Sequence, residues 1–324
     1  MVKIVGEKGI SLSDLEVSYK DKIKFLDIEE GDKISLLSDN MFKTMFQNEN
    51  RLKYSAKLIS YFIEVDYEVL LSKLQLVKNN FSKKKSNEKN RSGDYVAEIN
   101  GSFIAIEVNN NGSLSVMERN MEYAHRLYAS QIRRGNKNKK KKSNYSQVIL
   151  ININNFSFIG YDKIIDIFYN RNDDNIILSK KIITVQIFIP NLLRKWYDVG
   201  EEKLDELERY LLTLVLQKKS DTDKVGGGNS FMEDYIKDAT EASLDEELLV
   251  SYDKEKALYE LGTSEGEKIG FKKGEKFGYE KGEKSGYDKK SKEIAENLLK
   301  EGINVEIISK TTGLSKEEID KMNC

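Results

Sequence analysis

The chain has 324 residues, a formal net charge of -1, and 33% of its residues are charged. This length allows one full α/β domain with a sizeable core, plus appendages. The charges occur in blocks: lysines cluster at 83–85 and 137–142, and acidic residues at 201–208 and 241–247. A near-neutral total therefore does not exclude a local basic patch that binds nucleic acid.

Cys324 is the only cysteine and His125 the only histidine. An internal disulfide and a Cys/His zinc site are excluded, and Ser-His or Cys-His catalysis would need His125. We expect a protein of the reducing cytoplasm, without a signal peptide because residues 1–6 lack an apolar core. We also expect no membrane partner, since no stretch approaches the roughly 20 apolar residues of a membrane span.

Residues 1–35 are weakly patterned and are predicted to be an N-terminal extension to a main domain over 36–217. Apolar residues at helical spacing predict a helix capped by Ser38 or Asp39, and a second helix over about 52–62. A short strand is expected at 74–77. The polar stretch that follows, as far as residue 92, is expected to be a loop.

The clearest element is a β-hairpin over about 93–109. Asn100-Gly101 separates two runs of β-branched and aromatic residues, and this dipeptide suits a two-residue type I′ turn because both central residues need positive φ. The resulting register places Asp94 opposite Glu107. Because side chains alternate along a strand, Asn109 shares their face.

Opposed carboxylates repel each other, so a fold that keeps them favours a use for them. The commonest use is a hard divalent cation such as Mg²⁺, which prefers carboxylate oxygens, waters and phosphate oxygens. The alternative is a solvated hairpin whose acids happen to face each other. Hairpin geometry alone leaves both interpretations open.

After the hairpin, we predict an amphipathic helix from Ser113 or Ser115 to about Arg134, ended by Gly135. Apolar runs predict strands at 147–154 and 182–189, with a hairpin or a short helix between them at 160–174. A helix at 204–217 completes the main domain.

A linker is predicted at 218–230, followed by a helical segment over 231–290 that carries a Gly-rich repeat of eight residues. Glycine recurs at every fourth position from Gly262 to Gly286. This stripe either lets another backbone approach, which favours a homo-oligomer, or marks a hydrated charged tether, which we expect for the isolated chain. Residues 291–324 predict a small helical tail, compatible with a helix-turn-helix or with a helical hairpin that does not bind DNA.

The order Asp94, Glu107, Asn109 and then a helix resembles the core motif of PD-(D/E)XK nucleases. The chain resembles in particular the bacterial PD-(D/E)XK family putative transposases, also called recombination-promoting nucleases. Further local similarities are the helix at 38–46, Tyr123, Tyr128, Gln131 and Gly135, the strand near 148–153, and the segment 307–315. The resemblance implies a restriction-endonuclease-like α/β/α core with a mixed central sheet, plus a helical C-terminal tail.

The resemblance also implies Mg²⁺-dependent hydrolysis of DNA, with Asp94, Glu107 and the Val108 carbonyl as metal ligands. Asp39 would be an additional acid acting through water, or simply a helix cap. Asn109 departs from the family's Gln and the superfamily's Lys, because its amide can position a water but carries no charge. The alternative is a catalytically weak or inactive DNA-binding or assembly protein that keeps the nuclease fold.

Several residues of the helix after the motif are candidate DNA contacts, namely Tyr123, Arg126, Gln131, Arg133 and Arg134. Helix packing accounts for Tyr123 and Gln131 equally well. For the arginines the alternative is a solvated surface. The predicted partners are therefore DNA and, through the tail, a second copy of the chain.

Overall fold

A six-stranded mixed sheet forms the centre of the larger of two units, Met1–Lys256 and Ala257–Cys324. This computed structural model describes residues 12–77, 80–81, 91–92, 94–134, 146–172 and 174–321. Within these ranges the side chains of Arg133 and Arg134, and most of those between 263 and 288, lie outside the description. The Lys-rich loops at 83–85 and 137–142, expected from the sequence, also lie outside the described residues.

The strands are β1 (Val17–Ser18), β2 (Gln75–Leu76), β3 (Asn80–Phe81), β4 (Arg91–Ser92), β5 (Tyr95–Ile99), β6 (Ser102–Asn109), β7 (Val148–Asn154), β8 (Ser157–Phe158), β9 (Ile165–Arg171) and β10 (Ile177–Phe188). The central sheet has the order β2-β5-β6-β7-β10-β9. β6, β7 and β10 run parallel to one another, whereas β2, β5 and β9 pair antiparallel with their neighbours. The mixed sheet is as predicted, and the segment left open at 160–174 contains a strand that pairs with β10.

The helices of the larger unit are α1 (Asp39–Phe46), α2 (Leu52–Ser60), α3 (Tyr67–Lys73), α4 (Leu114–Arg134), α5 (Ile189–Val199), α6 (Glu206–Val215), α7 (Lys219–Gly226), α8 (Ser230–Ala242) and the start of α9 (Glu246–Lys300). Ser38 caps α1 by accepting from the N–H of Met41. Asp205 and Glu208 form a capping box at α6, which satisfies backbone donors that a helix start leaves unpaired.

Both faces of the hairpin are covered by helices. On one face, Tyr95 contacts Phe46 of α1, with ring centroids 6.3 Å apart, and donates its hydroxyl to Ser55 of α2 at 2.9 Å. On the other face, α4 packs its apolar stripe onto β5, β6 and β7. The buried residues of that cluster are Val96, Phe103, Ala105, Tyr123, Ala124, Leu127, Val148 and Leu150. These two layers confirm the α/β/α arrangement and leave the polar end of the hairpin beside the first turns of α4.

The segment before α1 belongs to the core rather than forming a loose extension. Ile23, Phe25 and Ile34 are buried. Lys33 is 1% exposed and donates its Nζ to the carbonyls of Leu214, at 3.3 Å, and Leu216, at 2.5 Å. The C-terminal end of α6 thus receives donors from the N-terminal segment, because its last carbonyls have no partner within the helix.

The linker predicted at 218–230 is wrong in part, because residues 219–226 form α7. Thr222, Val225 and Gly226 are buried, and Gly226 lies against Ile236 of α8. The glycines do end the helix, as expected, since α7 stops at Gly226. A charged sequence with little apolar content therefore still packs when tertiary neighbours cover its few apolar positions.

The smaller unit contains the rest of α9, then α10 (Val305–Thr312) and α11 (Lys316–Asp320). Its core is Ala295, Ile308 and Ile319, and Gly313 takes positive φ (75°) at the turn between α10 and α11. The Gly-rich repeats lie within α9, so the tether expected for the isolated chain is wrong for the backbone. None of the described helices is both long and apolar enough to cross a bilayer.

Candidate functional site

Two carboxylates meet at the polar end of the hairpin. Asp94 directly precedes β5 and is half-buried, whereas Glu107 on β6 is 4% exposed. The N–H of Val108 donates to Oδ2 of Asp94 at 3.0 Å, and the N–H of Asp94 donates to Oε1 of Glu107 at 3.3 Å. Within the described part of the chain, the second oxygen of each carboxylate accepts no hydrogen bond. One oxygen thus orients each side chain and the other remains available.

Burial and repulsion disfavour the charged forms of both acids. Burial raises the pKa of Asp94, and the charge of Asp39 adds to that effect. Burial and then the charge of Asp94 raise the pKa of Glu107 to about 8. Two hard oxygen donors that repel each other and each keep a spare oxygen suit a divalent cation, which would relieve the repulsion.

A third acid does not complete this pair. Among the residues that the structure describes, no group of three or more His, Cys, Asp or Glu side chains is placed to hold one ion. Asp39 is the first residue of α1; it pairs with Lys43, and its side chain is 52% exposed. Its role as an additional acid acting through water stays a prediction. The helix cap is Ser38, not Asp39.

Helix α1 contacts the site through other groups. Gln47, just after α1, donates its side-chain amide to the carbonyl of Asp94. Glu255 of α9 accepts from the Ser38 hydroxyl at 2.6 Å and from the Asp39 N–H at 3.0 Å. The start of α9 therefore helps to place α1, and α1 in turn contacts the strand that carries Asp94.

Asn109 lies in a buried network of side-chain amides. Its Nδ2 donates to Oδ1 of Asn154 at 3.0 Å, and its Oδ1 accepts from Asn120 at 3.0 Å. Asn120 also donates to Asn152 at 2.9 Å, and Asn154 donates to Gln186 at 2.9 Å. All five residues are at most 7% exposed. The network links α4 to three parallel strands and occupies both functional groups of Asn109.

The predicted DNA contacts do not gather at the acid pair. Tyr123 is 3% exposed and packs in the apolar cluster under α4. Gln131 joins α4 to the start of β7, since it accepts from the N–H of Ser146 at 2.9 Å and donates to its carbonyl at 3.3 Å. Arg126 pairs with Glu122 at 2.6 Å. The structure thus favours packing roles for Tyr123 and Gln131, while Arg133 and Arg134 lie outside the described side chains.

Sequence reasoning missed Arg119. This residue is exposed on the second turn of α4, and its Nε donates to Oδ1 of Asn120 at 3.3 Å. Its positive charge lowers the pKa of both Asp94 and Glu107. The only sequence signal is position, because a residue near the start of the helix after the motif returns to the end of the motif strand.

The similarity to known proteins follows this geometry. The PD-(D/E)XK nuclease family transposase model matches residues 36–261, more than half of the chain, so the protein belongs to this family. Residues 288–323 match the C-terminal HTH domain of the Rpn/YhgA-like nuclease family. No curated protein and no solved structure matches the chain significantly. The predicted family and α/β fold class are confirmed, and the tail is of the helix-turn-helix type.

Proposed function

We propose that the protein is an Mg²⁺-dependent DNA endonuclease whose metal ligands are Asp94, Glu107 and the Val108 carbonyl. The observation that supports this most is the buried acid pair, with one free oxygen on each carboxylate, in a chain of a nuclease family. Keeping two like charges together away from water is costly unless a cation joins them. The family membership makes a phosphodiester the natural substrate.

In this proposal each residue has a distinct task. A bound divalent cation supplies Lewis acidity toward a phosphate oxygen and toward a water. Asp94 and Glu107 hold it, and the N–H groups of Val108 and Asp94 fix the orientation of the two carboxylates. Asn109 has one N–H beyond its bond to Asn154, which can position a water but cannot neutralise developing charge.

The direct test is cleavage of supercoiled plasmid with Mg²⁺ by the wild type, Asp94→Ala and Glu107→Ala. We expect nicked or linear DNA with the wild type only, and no cutting in EDTA. Loss of a ligand should lower the rate by at least about 100-fold, because even outer-sphere partners of metal ligands are worth 10- to 100-fold. Equal cutting by all three proteins would show that the site lies elsewhere, and intact DNA in all three would disprove the nuclease.

The alternative is a DNA-binding or assembly protein with little or no nuclease activity. The uncharged Asn109, with its amide held by Asn120 and Asn154, favours this candidate. DNA binding by the wild type without any Mg²⁺-dependent cutting would support it. If Asn109→Gln cuts faster than the wild type, the side chain at this position limits the chemistry.

The tail adds a second route to DNA. Its α10-turn-α11 segment belongs to a helix-turn-helix domain type, and such domains commonly place their second helix in the major groove. We propose that this unit binds DNA and that the acid pair cuts it. A DNA substrate and a single cysteine both fit a cytoplasmic protein.

We further propose that the glycine stripe of α9 joins two copies of the chain. Small side chains let two helix backbones approach closely, which offsets their low helix propensity. Gly270→Gln combined with Gly274→Gln should stabilise the isolated helix by about 1 kcal/mol or more but break the assembly. Light scattering of the full chain should show a dimer or larger oligomer for the wild type and a monomer for the double variant.

The matched control for this experiment is Lys290→Gln, which changes an exposed position of the same helix. It should leave the mass unchanged. A monomeric wild type, or an oligomer that survives both glycine substitutions, would contradict assembly through the stripe.

A further inference from the structure

The acid pair has one exposed cation beside it that is not committed to an acid. Two basic residues lower the pKa of Asp94 through their charge, Arg119 and Lys43, and Arg119 alone of the two is named for Glu107 as well. Lys43 is paired with Asp39. Arg119, in contrast, forms no ion pair with any residue that the structure describes. Its charge is therefore available to a ligand.

Arg119 is held in place from one side only. Its Nε donates to Asn120 at 3.3 Å, and Asn120 is 2% exposed and bonded to both Asn109 and Asn152. A guanidinium carries five N–H donors in a fixed plane. The bond to Asn120 uses one of them, so the terminal nitrogens extend from a rigid, buried anchor toward solvent.

The same bonds connect Arg119 to the position that lacks a charge. Arg119 is two hydrogen bonds from Asn109, through Asn120, and Asn109 follows Glu107 by two residues on β6. Asn109 is only 4% exposed and is occupied by its amide partners, whereas Arg119 is exposed. A planar guanidinium matches two phosphate oxygens better than any other side chain does.

We propose that Arg119 binds the DNA phosphodiester at the acid pair and supplies there the positive charge that Asn109 lacks. Asn120 is its positioning residue, because it holds both Arg119 and Asn109. This inference rests on the proposed function for its substrate class. It assigns to α4 a role that the family motif on the strands does not contain.

The test measures DNA binding by full-length protein as a function of salt, using fluorescence anisotropy of a labelled duplex in Ca²⁺. A gel checks that the DNA stays intact. We expect Arg119→Gln to bind about 10-fold more weakly, as expected for loss of a charged hydrogen bond. The slope of log K against log salt should fall by about 0.9, the value for one phosphate contact. Arg119→Lys should keep the slope, because it keeps the charge.

Arg126→Gln is the matched control, since Arg126 lies on the same helix but is paired with Glu122. It should bind like the wild type, and unchanged circular dichroism should show that all variants fold. An Arg119→Gln slope equal to that of the wild type overturns the inference, whatever happens to cutting. A reduced slope in a wild-type background that does not cut DNA would keep Arg119 as a phosphate ligand and disprove only the nuclease.

Discussion

Glu107→Gln is expected to make the protein more stable without metal and to remove its response to Mg²⁺. In EDTA, the variant no longer buries an acid whose pKa is raised by burial and by Asp94, so its free energy of unfolding should rise by about 1–3 kcal/mol. With Mg²⁺, the wild type should gain stability by binding the ion, whereas the variant has lost a ligand. Fluorescence of Trp196, the only tryptophan, measures unfolding of the larger unit in urea.

The control for this prediction is Glu98→Gln, the same change on the neighbouring strand at a half-buried position nearer the turn. It should retain the full stabilisation by Mg²⁺. A Glu107→Gln protein that is less stable than the wild type in EDTA would show that Glu107 has a structural role. Retained stabilisation by Mg²⁺ in Glu107→Gln would place the ion elsewhere.

Lys33 is expected to make the stability of the larger unit rise with pH between about 8.5 and 9.5. Burial lowers the pKa of Lys33 to about 7, whereas a lysine in an unfolded chain has a pKa near 10.4. Between these values the folded protein holds Lys33 neutral and the unfolded chain takes up a proton. Raising the pH therefore disfavours unfolding, by about 1.4 kcal/mol per pH unit, until the unfolded lysine also loses its proton.

This window lies above the pKa of Glu107, which titrates near 8, and below the onset of tyrosine ionisation. Urea unfolding followed through Trp196 at pH 8.5, 9.0 and 9.5 gives the slope. Lys33→Met should lack it, and Lys163→Met, at a lysine whose side chain is 61% exposed, should keep it. Equal slopes in the wild type and Lys33→Met would show that Lys33 stays protonated in the folded chain.

The role of Asn109 shows how the tertiary structure changes the meaning of a motif residue. From the sequence, Asn109 is a shortened version of the family's Gln, free to contact water. In the structure, its amide is bonded to Asn120 and Asn154, which arrive from a helix 11 residues later and a strand 45 residues later. A buried amide must find partners because an unpaired polar group in the core is costly. The strand at 147–154 hides these partners within an apolar run.

The DNA-contact candidates show a related limit. Tyr123, Gln131 and Arg119 all lie on α4, and helical spacing alone does not tell which of them faces the sheet and which faces solvent at the end of the hairpin. The packing of α4 decides this, since it buries Tyr123 and leaves Arg119 exposed. The more conspicuous aromatic and amide residues therefore have structural surroundings, while the less conspicuous Arg119 neighbours the acids.

The sequence by itself determined what local rules control. Asn100-Gly101 set the hairpin and its register, and with them the opposition of Asp94 and Glu107. Capping residues and apolar spacing set α1, α4 and α6. Only the tertiary structure decided which partners come from distant elements: the amide network around Asn109, the Lys33 contacts to α6, the packing of α7 and the place of Arg119. Those contacts join residues far apart in the chain, where neither propensity nor periodicity carries information.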